Sequence, residues 1–280
     1  MDKEAERIRL STTPTPPIPI FTSSAVAIVL NKAVVTDTLG KRIRHHITGR
    51  PLCIYLLKKN HWTNETMALI DWNILEKYMN TVPHNKATNL IKLMHGWQFT
   101  TGRQMLMQAE DDDDDTSMNG DCPLGCGCRE EDHHYLVCQK KPGATQMQRE
   151  KKSLKEYLTN SETHPGMTSI ITRSLCAFLE GKEPSLRWRT TTPLQEMIKE
   201  AFHEQRRIVW KQTFLGHISS RWKYVQQKWY EEISSKGRKL NKHQTPQVRA
   251  TNLCRQLMFF ALNQWQIRNE VYHDRVSKYS

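Results

Sequence analysis

The chain has 280 residues, with 41 Lys+Arg against 29 Asp+Glu for a formal net charge of +12, and 38% of it is hydrophobic. Its 8 Trp, 8 Tyr, 7 Phe and 11 Met supply bulky core material, which excludes a disordered chain, and 12 Gly with 12 Pro argue against a turn-rich β-sandwich. No run approaches the ~18 apolar residues of a membrane helix, and the charged N-terminus reads against a secretory signal, so an intracellular protein of nucleus or cytoplasm without membrane contact is expected.

Residues 1–22, with TTPTPPIPI at their end, read as an extended, disordered tail. Residues 24–36 are dense in β-branched side chains around Asn31-Lys32, which predicts a small β-hairpin. Leu39 to His46 suits a helix or a third strand, and Pro51 to Trp62 carries a helical stripe of Leu52, Tyr55, Leu56 and Lys59. From Thr63 to Trp97 the pattern is helical, interrupted at Pro83; Asp71 is placed to cap a helix beginning at Trp72. Residues 147–160 and 167–180 read as two further helices, the second with Ile170, Ile171, Leu175, Phe178 and Leu179 on a wide apolar face. Thr192-Pro193-Leu194-Gln195 is a helix start with a capping box, and that helix is expected to run to about Phe214. Gly216 marks a break before a helix from Ser220 to Ile233, a basic loop follows, and a last helix spans about Val248 to Val276. The expected fold is mainly α: a helical bundle with a small N-terminal β-hairpin and a zinc-knuckle insertion. Its parts are the tail 1–22, hairpin plus helices 23–100, acidic linker and knuckle 101–140, and basic helices 141–280.

The charge is unevenly placed. Residues 110–132 hold ten acids and one base, so the rest of the chain carries +21. From Ala201 onward fifteen Lys/Arg face five acids. Such a segment favours polyanions through counterion release. Candidate nucleic-acid contacts are Arg206, Arg207, Lys211, Arg221, Lys223, Lys228, Lys236, Arg238, Lys239 and Lys242. A solvated basic surface explains the same charge. The run Asp111–Asp115 reads as a solvated connector, because five neighbouring carboxylates repel one another rather than converge on one ion.

Seven Cys, four of them between 122 and 138, suggest a metal site in a reducing compartment rather than a disulfide framework. Cys122 and Cys126 sit on a Pro/Gly turn and make half of a tetrahedral site. His134 and Cys138, at i and i+4, share one helix face and make the other half. Cys128 can replace Cys126, and His133 stands beside His134, so both remain alternates. Four such donors close the coordination shell of Zn(2+), which implies a structural rather than a catalytic ion.

Enzyme motifs are missing. The only Asp-Asp sequences lie in the acidic run, the strand-like AVAIVLNKAVVT has no acids, and His203-Glu204 lacks a second His where Arg207 stands. Gly40-Lys41 lacks the remainder of a phosphate-binding loop. A non-enzyme is expected.

Lys92-Leu93-Met94-His95-Gly96-Trp97, a linker, and then the Cys-Pro knuckle with EEDHHYLVC resemble the zinc-binding segment downstream of the polymerase in non-LTR retroelement reverse-transcriptase proteins. The chain also resembles longer proteins built around that segment in protist genomes. Looser matches are Ile70-Asp71-Trp72, Ile208-Val209-Trp210 with Phe214 to Ser219, and Trp265 to Asn269. The resemblance implies zinc ligation by Cys122, Cys126, His134 and Cys138 and brings no activity, since no polymerase or endonuclease motif is present. The expected function is thus non-catalytic zinc and nucleic-acid binding, RNA or DNA, through the phosphate backbone. The competing expectation is an interaction or scaffold protein whose aromatic helices meet a protein partner. Trp62, Trp72, Trp97, Trp210, Trp222 and Trp265 fall at apolar helical spacings and are expected in the core, and Arg268-Asn269 is expected to brace the last helix.

Overall fold

The computed structural model describes residues 29–30, 33–34, 39–98, 100–102, 120–140, 144–186, 192–242 and 244–279. The described part is mainly helical. The expected tail and the acidic run lie outside the described residues, as does most of the expected hairpin. Of the latter, two-residue strands Val29–Leu30 (β1) and Ala33–Val34 (β2) pair antiparallel. The chain divides into two units, 1–61 and 62–280.

In the first unit one helix, α1 (Leu39–Asn60), takes in both of the short segments expected there. Pro51 lies inside it and removes one backbone hydrogen bond. Lys58 and Lys59 in its last turn suit the negative end of the helix dipole.

The second unit begins with α2 (Asn64–Ala68), capped by Thr63, and α3 (Trp72–Met79), capped by Asp71. The Asp71 carboxylate accepts from the Ile74 N–H at 3.3 Å and forms an ion pair with Lys223. Between the two helices, the Asp71 N–H donates to Ile218 O and the Ser220 N–H to Leu69 O, each at 2.8 Å. A single bridge, Ile70 to Ser219, thereby ties residues 69–71 to the loop before the penultimate helix. Next come α4 (His84–Met94), α5 (His134–Val137), α6 (Ala144–Asn160) and α7 (Pro165–Leu179). Helix α8 (Pro193–Ile208) opens with the expected capping box of Thr192 and Gln195. It ends six residues earlier than Phe214. Val209 adopts φ 78°, which breaks the α-helical ladder, and Trp210–Leu215 continues as a 3-10 helix. Gly216, at φ 85°, closes that turn. A Cβ there would meet Leu75 Cδ1 at 2.7 Å and Met258 Sδ at 2.9 Å, so both the conformation and the space call for glycine.

Helices α9 (Ser220–Ser235) and α10 (Pro246–Tyr279) complete the unit. At 34 residues α10 is about 50 Å long. It packs against α3, α4, α5, α6, α9 and the 3-10 turn. Leu253, Cys254, Leu257, Met258, Ala261, Leu262 and Trp265 are all buried along it. Neighbours on several sides explain why it shows no single apolar stripe. Of the six tryptophans expected in the core, Trp62, Trp210, Trp222 and Trp265 are buried and Trp72 is half-buried. Trp97 is not: it is 49% exposed, because α4 ends at Met94 and the ring lies beyond it, stacked on His95.

His217 is buried among these elements. Its ring meets Trp62 at 5.2 Å and Trp72 at 5.4 Å, both edge-on. Nδ1 lies 2.7 Å from Gln212 Oε1, which makes Nδ1 the donor. The loop is held by Gln205, whose amide donates to His217 O and accepts from the Ser219 N–H. Burial holds the His217 pKa down at about 3, with His95 and His133 adding to the effect. The folded state therefore keeps this ring neutral while the unfolded chain protonates it at its ordinary 6.5. Its contribution to stability is present above that value and is lost as pH falls toward 3. In denaturant titrations across this range, His217→Gln should show a shallower acid limb than the parent chain, by up to ~1.4 kcal/mol per pH unit.

Candidate metal centre

The segment from Gly120 to Cys138 is held first by its own backbone. The Cys122 N–H donates to Cys128 O and the Glu130 N–H to Gly120 O, each at 2.9 Å, pairing Asp121 with Arg129. Within that loop the Gly125 N–H turns back to Cys122 O. Gly125 and Gly127 both adopt positive φ, so the chain doubles back between the two halves of the cluster. On the other side Cys138 follows the short helix α5, its N–H donating to His134 O at 2.9 Å.

These turns bring four side chains together. Cys122 Sγ lies 3.7 Å from Cys138 Sγ, and Cys126 Sγ lies 3.2 Å from His134 Nε2. All four donor atoms fall within 4.8 Å of one another. Two thiolates bound at 2.3 Å around one tetrahedral ion are separated by about 3.8 Å, so the donor spacing suits such an ion. Cys122 and Cys138 are buried, while Cys126 and His134 are half-buried. As thiols, Cys122 is pushed up to about 12 and Cys138 is raised, both mainly by burial. A cation among them reverses that preference, because its charge stabilises thiolates.

The two alternates fall outside the cluster. Cys128 is exposed; its backbone carbonyl accepts from the Cys122 N–H, and its side chain meets the Cys126 sulfur at the edge of the cluster. His133 sits at φ 65° at the start of α5, which turns its ring away from the sulfurs. Its Nε2 lies 2.9 Å from Leu93 O and joins the knuckle to the end of α4.

A second group of interactions fastens the knuckle to α10, and no local sequence pattern pairs its two sides. Glu130 is 0% exposed and Arg268 is 2% exposed. Arg268 Nε donates to Glu130 Oε1 at 2.6 Å, and Nη2 pairs with Oε2. The guanidinium lies between the rings of Trp265 (4.9 Å) and Tyr272 (4.8 Å). Glu130 also accepts from the Thr101 N–H at 2.7 Å and hydroxyl at 3.0 Å. Gly102 sits so close that a Cβ there would collide with Glu130 O. Tyr135 packs edge-on against Trp265, and Val271 packs against Cys122, Leu124 and Cys138. Arg268 thus braces α10 as expected, and the charge it braces against is Glu130.

The ten candidate nucleic-acid contacts divide into two groups. Six are held by acids: Arg206 by Glu183, Arg221 by Glu200 and Glu204, Lys223 by Asp71, Lys228 by Glu231, Lys236 by Glu232 and Arg238 by Glu162. Arg207, Lys211, Lys239 and Lys242 form no ion pair with another described residue. No helix among the described residues is long and apolar enough to cross a membrane.

Breaking the Glu130–Arg268 pair from one side leaves a buried charge alone. Arg268→Met should cost about 3–5 kcal/mol in urea unfolding, and the double variant Glu130→Gln/Arg268→Met should recover much of that loss. Equal destabilisation by the single and double variants would contradict the pairing.

Comparison with family models, with curated proteins and with solved structures gives no match to this chain.

Proposed function

We propose that the chain is a non-catalytic protein held by a structural Zn(2+) ion, which contacts the phosphate backbone of RNA or DNA. The observation that carries the zinc reading is the convergence of Cys122, Cys126, His134 and Cys138 within 4.8 Å. Three sulfurs and one imidazole are soft and borderline donors, a set that selects zinc over the hard cations calcium and magnesium. Four protein donors leave no open position for substrate, so the ion would build shape. The likeness of the Cys-Pro knuckle to retroelement proteins supports the same ligand set and a retroelement-derived origin. Nucleic-acid contact rests on the +21 charge outside the acidic stretch and on Arg207, Lys211, Lys239 and Lys242, which form no ion pair with another described residue. A protein partner in place of nucleic acid is the second reading, favoured by the exposed Ile91 and Trp97 at the end of α4.

The purified chain should carry about one zinc per molecule by elemental analysis. Cys122→Ser, Cys138→Ser and His134→Ala should each lose most of the metal, whereas Cys128→Ser and His133→Gln should keep it. Each thiol must release its proton to bind, so zinc retention should fall as pH drops. Retention of full metal by Cys138→Ser would contradict the assignment.

Binding of a short oligonucleotide should weaken steeply with salt. Replacing Arg207, Lys211, Lys239 and Lys242 together by Gln should lower the slope of log K against log salt by about 3, since each phosphate that is no longer neutralised removes about 0.7–0.9. No binding at low salt, or a slope unchanged by the four substitutions, would remove nucleic acid from the reading.

A further inference from the structure

Helices α6 and α7 border a groove of about 500 Å³ whose lining side chains carry no carboxylate. Lys155 and Arg173 line it, and neither makes an ion pair among the described residues. The other lining residues include five hydroxyls, those of Thr159, Thr163, Thr168, Ser169 and Thr172. The Thr159 hydroxyl is committed to Lys155 O at 3.0 Å. Those of Thr168 and Thr172 have no hydrogen-bond partner.

Behind the groove lies a buried charge. Arg249 is 3% exposed, and its Nε donates to Thr163 Oγ1 at 3.0 Å. Its Nη1 and Nη2 are buried and have no hydrogen-bond partner. The polar groups that face it electrostatically are Tyr157 and Tyr230, whose phenols burial keeps protonated, so neither serves as a counter-ion. A guanidinium taken out of water without an anion is costly, and natural proteins offset such charges with a carboxylate or a ligand. Thr163 belongs both to this arginine and to the groove lining, so an anion beside Thr163 lies one hydroxyl away from the guanidinium.

We propose that the α6–α7 groove binds a phosphate group, gripped by Lys155 and Arg173 and seated against the Ser169 hydroxyl, with Arg249, which Thr163 holds in place, supplying charge from beneath. Hydroxyls and cations without carboxylates are the donor set that phosphate oxygens require. The phosphate belongs either to a small free anion or to a nucleic-acid backbone. The site does not depend on the zinc or nucleic-acid readings above.

The test uses the full-length, metal-loaded chain with inorganic phosphate as the probe, followed by calorimetry and by dialysis with labelled phosphate. Saturable binding is expected. Lys155→Gln and Arg173→Gln, both on exposed side chains, should each weaken it about tenfold with metal content and melting temperature unchanged. Thr163→Val should weaken it as well, and Lys77→Gln, on the exposed side of α3, should not. Arg249→Met is expected to lose binding, but the two surface variants decide the matter even where it fails to fold. A short single-stranded oligonucleotide displaced by phosphate, and weakened by the same variants, assigns the phosphate to nucleic acid. Phosphate binding that the oligonucleotide leaves untouched assigns it to a small anion. No saturable binding at millimolar phosphate, or binding that both surface variants leave intact, overturns the proposal.

Discussion

A carboxylate with no exposure must find a cation with none, and in this chain Glu130 finds Arg268 across 138 residues of sequence. The pair is costly to desolvate, and good geometry is what makes it tolerable. The geometry is good: two guanidinium nitrogens meet two carboxylate oxygens, two aromatic rings flank the cation, and Thr101 adds two donors to the anion. Much of the second unit depends on that pair, because Glu130 lies eight residues from Cys122 and eight from Cys138, in the middle of the knuckle. It sets the knuckle against α10, the helix that packs against most of the others.

The knuckle needs such anchors because it has little core of its own. Besides the cysteines themselves, the apolar side chains buried between Cys122 and Cys138 are those of Leu124, Tyr135 and Leu136. A four-residue helix is far below the length that is stable alone. Three fastenings offset this: the His133 ring to the Leu93 carbonyl, Tyr135 against Trp265, and Glu130 to Arg268. A metal ion would add a fourth, closing the Cys122–Cys126 loop onto α5. In that reading the ion and the ion pair act on the same short segment.

Part of the basic charge of the chain is used internally. Six of ten cations expected to face nucleic acid are tied to acids, several bridging separate elements, such as Lys223 to the cap of α3 and Arg238 to the turn before α7. Net charge read from a sequence counts those cations as available, whereas pairing screens them. Lys155 on α6, Arg173 on α7, Arg207 at the end of α8, Lys211 in the 3-10 turn, and Lys239 and Lys242 in the loop after α9 are among the cations that form no ion pair within the described residues.

Some of this was legible before any fold was known. Donors within seventeen residues reveal themselves by spacing, because a turn and one helical turn set their separation locally. The capping box at Thr192, the cap at Asp71 and the break at Gly216 were equally local, since each depends on a hydrogen bond or a backbone angle within four residues. The four donors that spacing favoured are the four that converge, with Cys128 and His133 left as alternates. The positive φ at Gly127 and His133 that accompanies this arrangement is an angle that no spacing rule carries. The early end of α8 at Val209 and the exposure of Trp97 likewise arise from how the chain leaves a helix. What tertiary structure alone decided is which distant charges meet: Glu130 with Arg268, Asp71 with Lys223, and Arg249 with no acid among the described residues. Electrostatic partners are chosen by packing across the whole unit, and a linear pattern holds no record of which side chains that packing removes from water.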